Sequence, residues 1–230
     1  MKLRAKPSLL ALFSGIALAT AACQSPALAA EAVVDAPVAQ RTSQESGGLK
    51  SAYFAGGCFW GVEAVFSHMK GVKSVVSGYH GGNAETADYS TVSSGVTQHA
   101  EAVRVTYDPK VVRYDQLLQV LFSVVADPTL KNRQGPDSGS QYRAAIIPVS
   151  DDQKAVAQAY LKQMSASGKW DRPIVVGIES AKKFYAAEDY HQDFARKNPG
   201  HPYIRRWDAP KVEALERMFP NLYSASFQTG

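Results

Sequence analysis

Stretches with the two-residue period of a β-strand alternate with stretches of helical spacing along residues 49–223, and this alternation constrains the fold more than any other feature. Strands are predicted at residues 51–55, 72–79, 102–107, 142–149 and 173–179. Helices are predicted to begin near residue 58 and to cover residues 114–125, 150–167 and 186–197. Because one pair of strands follows without an intervening helix, we expect an α+β fold: a two-layer α/β sandwich with a mixed, ferredoxin-like sheet and helices packed on it.

The length and composition limit the chain to one domain. Its 230 residues, 45% of them hydrophobic, suffice for one well-buried core but not for two large ones. Residues 31–48 are rich in small and polar residues without any period, which predicts a flexible leader. Residues 49–223 are expected to form the folded domain, and residues 224–230 a short polar tail.

The first 30 residues have the pattern of a signal peptide, because an apolar stretch too short for a membrane span follows a basic start. The basic residues are Lys2, Arg4 and Lys6. Removing residues 1–30 lowers the formal charge from +4 to +1, and no basic block with interleaved aromatics remains. We therefore expect a periplasmic or secreted protein without a nucleic-acid partner.

Two routes of processing stay open. Ala27-Leu28-Ala29 is a small-x-small site, which predicts cleavage after Ala29 or Ala30. The residues before Cys23 resemble the lipobox of bacterial lipoproteins, and contact with a membrane is expected only through a lipid anchor at that cysteine. Cleavage is favoured, because Thr20 stands where a lipobox usually carries Leu.

The cysteine count is the most informative part of the composition. The two cysteines are Cys23 and Cys58, and processing removes or acylates the first. An exported protein usually pairs its cysteines, so an unpaired Cys58 indicates reactivity. It follows Gly56-Gly57 where a strand turns into a helix, and the positive end of the helix dipole is expected to lower its pKa. Residue pattern alone leaves open that Cys58 is a small buried hydrophobe.

The segment around this cysteine resembles a known family. Residues 56–63, Gly-Gly-Cys-Phe-Trp-Gly-Val-Glu, are similar to the signature of the peptide methionine sulfoxide reductase A family. Further motifs follow in the order and approximate spacing of that family at residues 76–82, 88–89, 99–103, 108–109, 141–144 and 187–192. The resemblance covers nearly the whole domain.

The resemblance implies a reaction. Cys58 would attack the sulfur of an S-epimer methionine sulfoxide and end as a sulfenic acid. Glu101 would act as general acid and donate the proton that the oxygen needs. Without the resemblance, the pattern favours a surface position for Glu101 at the edge of a strand.

The resemblance also implies the surroundings of the reacting atoms. Tyr89 and Tyr142 would donate hydrogen bonds to the sulfoxide oxygen, and Asp137 would support them. Phe59 and Trp60 would bracket the methyl group of the substrate. Residue pattern alone treats these aromatic residues as ordinary core or half-buried side chains.

The recycling step is expected to depart from that of many relatives. They use further cysteines near the C-terminus, whereas no cysteine follows Cys58 in this chain. We therefore expect a one-cysteine cycle in which an external thiol, either a thioredoxin-like protein or a small thiol, reduces the sulfenic acid. No bound cofactor is expected, and a monomer is expected.

The residue pattern also allows three other interpretations. Glu188 and His191 have the spacing of half a di-iron site, but no second pair exists, so a support role without a metal is preferred. A Cys–His acyl-transfer enzyme would need a histidine base beside Cys58. The candidate bases are His68, His80, His99 and His191. An exported binding module for oxidised or Met-rich segments, with a structural Cys58, is the non-enzymatic alternative.

Overall fold

The computed structural model describes Met1 and residues 33–230. The strands are β1 (Lys50–Gly56), β2 (Val72–His80), β3 (Ala100–Tyr107), β4 (Arg133–Gln134), β5 (Asp137–Ser138), β6 (Ala144–Ile147), β7 (Gly177–Ile178) and β8 (Phe184–Ala186). The α-helices are α1 (Phe59–Ser67), α2 (Tyr89–Ser93), α3 (Tyr114–Val120), α4 (Asp151–Ala166), α5 (Phe194–Lys197) and α6 (Ala209–Met218).

One six-stranded sheet organises the domain, in the order β7–β6–β1–β3–β2–β8. Neighbouring strands are antiparallel except for the parallel pair β6–β7. The four central strands, with α1 between β1 and β2 and α3 between β3 and β6, have the β-α-β-β-α-β connectivity of a ferredoxin-like fold. The predicted α+β class and mixed sheet are confirmed.

The two faces of the sheet are covered differently, as the alternation in β3 shows. Val103, Val105 and Tyr107 belong to the main core together with the helices. Ala100 and Ala102 belong to a small second cluster on the other face. The helical layer therefore lies on one face, and this is the face on which α1 starts.

Two predicted elements are largely wrong. The strand expected at 173–179 is reduced to β7, because the backbone N–H of Val175 donates to the carbonyl of Pro128 instead of to the sheet. The helix expected at 186–197 is absent except for α5, because Asp193 has a left-handed backbone (φ 53°) and the Gln192 side chain bonds the backbone of Ser77. Helix α6 was not predicted.

Other elements agree with the prediction. Ser150 caps α4, and its hydroxyl accepts a hydrogen bond of 3.1 Å from the backbone of Gln153. The helix expected at 114–125 is α3 followed by a π-helical turn, Leu121–Val125. The strand expected from residue 142 begins at residue 144, so Tyr142 lies in a 3-10 turn before β6.

The segments expected as leader and tail pack against the domain. Residues 33–48 have almost no regular structure, but Ala36, Ala39 and Ser43 are buried and the Ser43 backbone donates to Asp115 at 2.9 Å. A detached, flexible leader does not fit these contacts. The backbone of Gln228, in the tail, donates to the carbonyl of Ser67 at 2.9 Å.

The predicted signal peptide and Cys23 lie outside the described residues. Within the part of the chain that the structure describes, no helix has the length and apolar character needed to cross a membrane.

Candidate active site

Cys58 stands at the junction between β1 and α1, where it is the N-cap residue of the helix. The preceding Gly57 has a left-handed backbone (φ 91°), and a Cβ there would lie 2.6 Å from the Cβ of Gln134. Only glycine fits this close approach. Cys58 is partly buried and is a free thiol.

The helix start is where the sequence placed it, but the expected lowering of the thiol pKa is wrong. Burial raises the pKa of Cys58 well above its ordinary value, and the carboxyls of Glu101, Asp208 and Asp137 raise it further. A hydrogen bond from the Trp60 backbone opposes the shift without reversing it. The resting group is therefore a neutral thiol.

Glu101 is the carboxyl beside this thiol. It lies in β3, opposite Tyr79 of β2, and only 1% of its surface is exposed. One carboxyl oxygen accepts a hydrogen bond of 2.9 Å from the backbone N–H of Phe59. Burial, with the nearby charge of Asp137, raises the pKa of Glu101 to about 8, although bonds from Phe59 and the Cys58 thiol oppose the rise. Glu101 is therefore mostly protonated at pH 7.

Tyr89 and Tyr142 flank the same carboxyl from two short turns. Tyr89 opens α2, and Tyr142 ends the 3-10 turn Ser140–Tyr142. The side-chain amide of the buried Gln141 donates to the carbonyl at the end of α2, which ties the two turns together. Burial and the charge of Glu101 raise the pKa of both phenols. Both hydroxyls are therefore available as hydrogen-bond donors at neutral pH.

Asp137 reaches the site from the β4–β5 hairpin. The buried Gln134 fixes this hairpin, because its side chain bonds the backbone N–H and carbonyl of Asp127, both at 2.9 Å. Burial raises the pKa of Asp137, while a hydrogen bond from Tyr203 and the charge of Lys211 lower it. In the structure Asp137 is near enough to Cys58 and Glu101 for its charge to raise the pKa of both groups.

The two aromatic residues after Cys58 differ in exposure. Trp60 is half-buried and stacks on Phe194, with ring centroids 3.7 Å apart. Phe59 has 0% exposed surface and packs against Tyr79 and His191. Both rings nevertheless pack against the ring of His191, with centroids 5.0 Å and 5.7 Å from it. The expected contact of both rings with the substrate methyl group stays a prediction; in this structure Trp60 has exposed surface for such a contact and Phe59 is covered.

Sequence reasoning missed two residues that complete the site. The hydroxyl of Tyr203 donates to Asp137, and its ring stands edge-on to Trp60 at 5.8 Å. Asp208, just before α6, packs against the first turn of α1: a Cβ placed on Gly61 would lie 2.3 Å from Oδ1 of Asp208. Both lie after β8 in a segment that carried no recognised motif, so no signal in the sequence pointed to them.

Glu188 and His191 form hydrogen bonds with residues of the site. Glu188 accepts hydrogen bonds of 2.8 Å from the Tyr79 hydroxyl and from the Tyr89 backbone. His191 accepts one of 3.0 Å from the indole of Trp60. Among the described residues, no group of three or more His, Cys, Asp or Glu side chains could hold a metal ion. The preferred support role fits these contacts.

The histidines required by an acyl-transfer enzyme are engaged elsewhere. A ring nitrogen of His68 forms a hydrogen bond with the carbonyl of Ser224. His80 accepts a hydrogen bond from the backbone N–H of Lys182, and His99 accepts one from the backbone N–H of Gly82. His191 is bonded to Trp60. The geometry gives the acyl-transfer interpretation no support.

Comparison with known proteins points to one family. Residues 50–222 match the family model described as peptide methionine sulfoxide reductase. The chain is 55% identical over 177 residues to "Peptide methionine sulfoxide reductase MsrA 2" of Mesorhizobium japonicum, covering 77% of this chain and 91% of the relative. It is 48% identical over 178 residues to the protein of the same name from Synechocystis sp., covering 77% and 83%.

Solved structures agree. Mxr1 from Saccharomyces cerevisiae in reduced form superposes with a TM-score of 0.60 at 33% identity, over 70% of this chain and 92% of that one. Methionine sulfoxide reductase A of Corynebacterium diphtheriae superposes with a TM-score of 0.56 at 30% identity, over 76% and 92%. The chain belongs to the peptide methionine sulfoxide reductase A family, a family of oxidoreductases.

Proposed function

We propose that this protein reduces the S epimer of methionine sulfoxide, in peptides and as the free amino acid, through a sulfenic acid on Cys58. The observation that carries this proposal is Glu101: a buried carboxyl, protonated at neutral pH, hydrogen-bonded at the start of α1 and in contact with the thiol. A sulfoxide oxygen leaves sulfur only once it is protonated, and this carboxyl can supply the proton.

The transfer of oxygen balances within the site. The Cys58 sulfur bonds to the sulfoxide sulfur while Glu101 protonates the oxygen. The oxygen then passes to Cys58 as the bond between the two sulfurs breaks, which releases methionine and leaves Cys58–SOH. The substrate sulfur gains two electrons and Cys58 loses them. The proton of the thiol replaces the one that Glu101 donated.

The remaining side chains bind and polarise the substrate. Tyr89 and Tyr142 donate hydrogen bonds to the oxygen while negative charge develops on it. Asp137, held by Tyr203, keeps a negative charge near Glu101 and so favours its protonated form. Trp60 packs on the methyl group of the substrate.

The sulfenic acid is reduced by an external thiol, since no cysteine follows Cys58. A first thiol forms a mixed disulfide with Cys58 and releases water. A second thiol attacks this disulfide, restores the Cys58 thiol and leaves as a disulfide with the first. A thioredoxin-like protein or a small thiol supplies both equivalents, and the cycle uses no bound cofactor. The protein works as a monomer.

The signal-like N-terminus supports a location outside the cytoplasm, where the enzyme repairs oxidised exported proteins. Fractionation of cells that express the full chain tests this location. Activity confined to the cytoplasm would contradict it. Mass spectrometry of the mature N-terminus separates cleavage after Ala29 or Ala30 from lipidation at Cys23.

The activity is tested by turnover of two peptides that carry the S or the R epimer of methionine sulfoxide, with dithiothreitol as reductant. We expect the mature protein to reduce the S peptide and Cys58→Ser to have no activity. Equal turnover by Cys58→Ser contradicts the cysteine mechanism. No turnover by the wild type favours a binding module, and preference for the R peptide contradicts the proposed epimer.

A further inference from the structure

His191 lies at the centre of an aromatic cluster beside the proposed substrate pocket. Its ring centroid is 5.0 Å from that of Phe59, 5.7 Å from Trp60, 4.4 Å from Tyr89 and 4.3 Å from Tyr190. The residue itself is 2% exposed. The ring of His191 therefore packs against Trp60, which is expected to contact the substrate methyl group, and against Tyr89, which is expected to donate a hydrogen bond to the oxygen.

A directional hydrogen bond fixes the chemical form of this ring. The indole N–H of Trp60 donates to Nδ1 of His191 at 3.0 Å. An indole nitrogen can only donate, so Nδ1 carries no proton and the imidazole is neutral, with its hydrogen on Nε2. Protonation of Nδ1 would set two N–H groups against each other and break the contact.

The surroundings of His191 favour this neutral form. Burial lowers the pKa of His191, and Glu188, the charged side chain that faces it, raises it to a smaller extent. The other groups around it are the uncharged rings of Phe59, Trp60 and the two tyrosines. Glu188 is itself bonded to the Tyr79 hydroxyl and the Tyr89 backbone.

We propose that His191 is a positioning residue of the reductase reaction: its neutral imidazole sets the Trp60 indole and the Tyr89 ring at the separation that a bound sulfoxide needs. This inference rests on the proposed function. Trp60 is also held by its stack on Phe194, but a stack of two flat rings leaves the indole free to slide in its plane. The hydrogen bond to Nδ1 removes that freedom.

Loss of this bond should appear mainly in substrate binding. A misplacement of about 1 Å in a binding wall can cost on the order of 100-fold in rate, so we expect KM to rise about 10- to 100-fold in His191→Leu, with a smaller fall in kcat. In His191→Asn, Oδ1 stands near the place of Nδ1 and can accept the indole N–H. This variant should recover most of the binding.

The first test compares these variants in a Trp170→Phe, Trp207→Phe background, in which Trp60 is the remaining tryptophan. We expect the Trp60 emission of His191→Leu to shift to longer wavelength as KM rises, and both to return towards wild type in His191→Asn. The matched control is His68→Leu, another ring-packed histidine, at the opposite end of α1. It should change neither quantity. Unchanged KM and emission in a folded His191→Leu protein would overturn the proposal.

A second measurement needs no variant. Nitrogen-15 NMR of the wild type reports the tautomer of His191 directly. We expect a hydrogen on Nε2 at neutral pH, and a hydrogen on Nδ1 would overturn the proposal even if His191→Leu does not fold. Because this readout does not use turnover, an inactive wild type with the expected tautomer would contradict the proposed function and leave the Trp60–His191 contact intact.

Discussion

Two glutamates are buried to the same extent on the same side of the sheet, yet the regions around them differ. Glu101 lies in β3 and Glu63 in α1, with 1% and 0% exposed surface, and burial raises their pKa values to about 8 and about 7. Glu101 lies beside the thiol of Cys58, and its charge acts on the phenols of Tyr89 and Tyr142. Glu63 faces the backbone N–H groups of Asp193 and Phe194 and the hydroxyl of Ser77.

The difference shows that a displaced pKa alone does not identify a catalytic acid. Glu63 lies where α1 meets the segment that carries Phe194, and that ring stacks on Trp60. Its carboxyl therefore faces a support segment and not the reacting atoms. A displaced pKa indicates catalysis only where the group also meets reacting atoms, as Glu101 does beside Cys58.

The sharpest test of this comparison is the same substitution at both sites. Glu101→Gln cannot donate a proton, so we expect kcat/KM for the S-epimer peptide to fall about 10²- to 10⁴-fold. Glu63→Gln should stay within about threefold of the wild type, since it leaves the reacting atoms untouched. Steady-state kinetics with dithiothreitol measure both. A similar loss of kcat/KM in the two variants would contradict the claim that Glu101, and not Glu63, is the catalytic acid.

The second test is the pH dependence of stability. The folded pKa of Glu63, about 7, exceeds its ordinary value of 4.5. Its contribution is therefore fully present below pH 4.5 and is lost as pH rises through 7. Relative to the wild type, Glu63→Gln should gain about 2–3 kcal/mol in free energy of unfolding between pH 4.5 and pH 8. Urea unfolding at both pH values measures this gain, and a difference that does not vary with pH would refute a buried, titrating Glu63.

The smallest predicted effect concerns the pH profile of activity. Glu101 acts as an acid only while protonated, so kcat/KM should fall above about pH 8. Tyr203→Phe removes a hydrogen bond that lowers the pKa of Asp137. Asp137 then carries less negative charge, the pKa of Glu101 falls, and the decline in activity should move to lower pH by less than about one unit. Tyr223→Phe, at the far end of α1, is the control, and a shift to higher pH in Tyr203→Phe would contradict this coupling.

The sequence predicted the parts of the site that local chemistry determines. The strand-to-helix change around Cys58 followed from residue types alone. The alternation over residues 102–107 predicted most of β3, which in the structure begins two residues earlier and so includes Glu101. The position of Glu101 on the core face was not evident, because a charged residue at a strand end usually faces water. Resemblance supplied that assignment.

The remaining site residues depend on long-range packing. Tyr203 and Asp208 lie more than 140 residues from Cys58 in the chain, and only the folding of the C-terminal segment onto α1 brings them to it. The thiol pKa was mistaken for the same reason. The helix start is a local feature, whereas the burial and the carboxyls that outweigh it come from β3, β5 and the segment before α6.

The central claim is that Cys58 receives the oxygen, and a single turnover without reductant tests it most directly. The mature protein is mixed with an excess of S-epimer methionine sulfoxide peptide, and reduced peptide and free thiol are counted before a sulfenic-acid trap is added. The account predicts one reduced peptide per protein, the loss of one thiol and a trapped adduct on Cys58. Reduced peptide without an adduct on Cys58, or none at all, would contradict it.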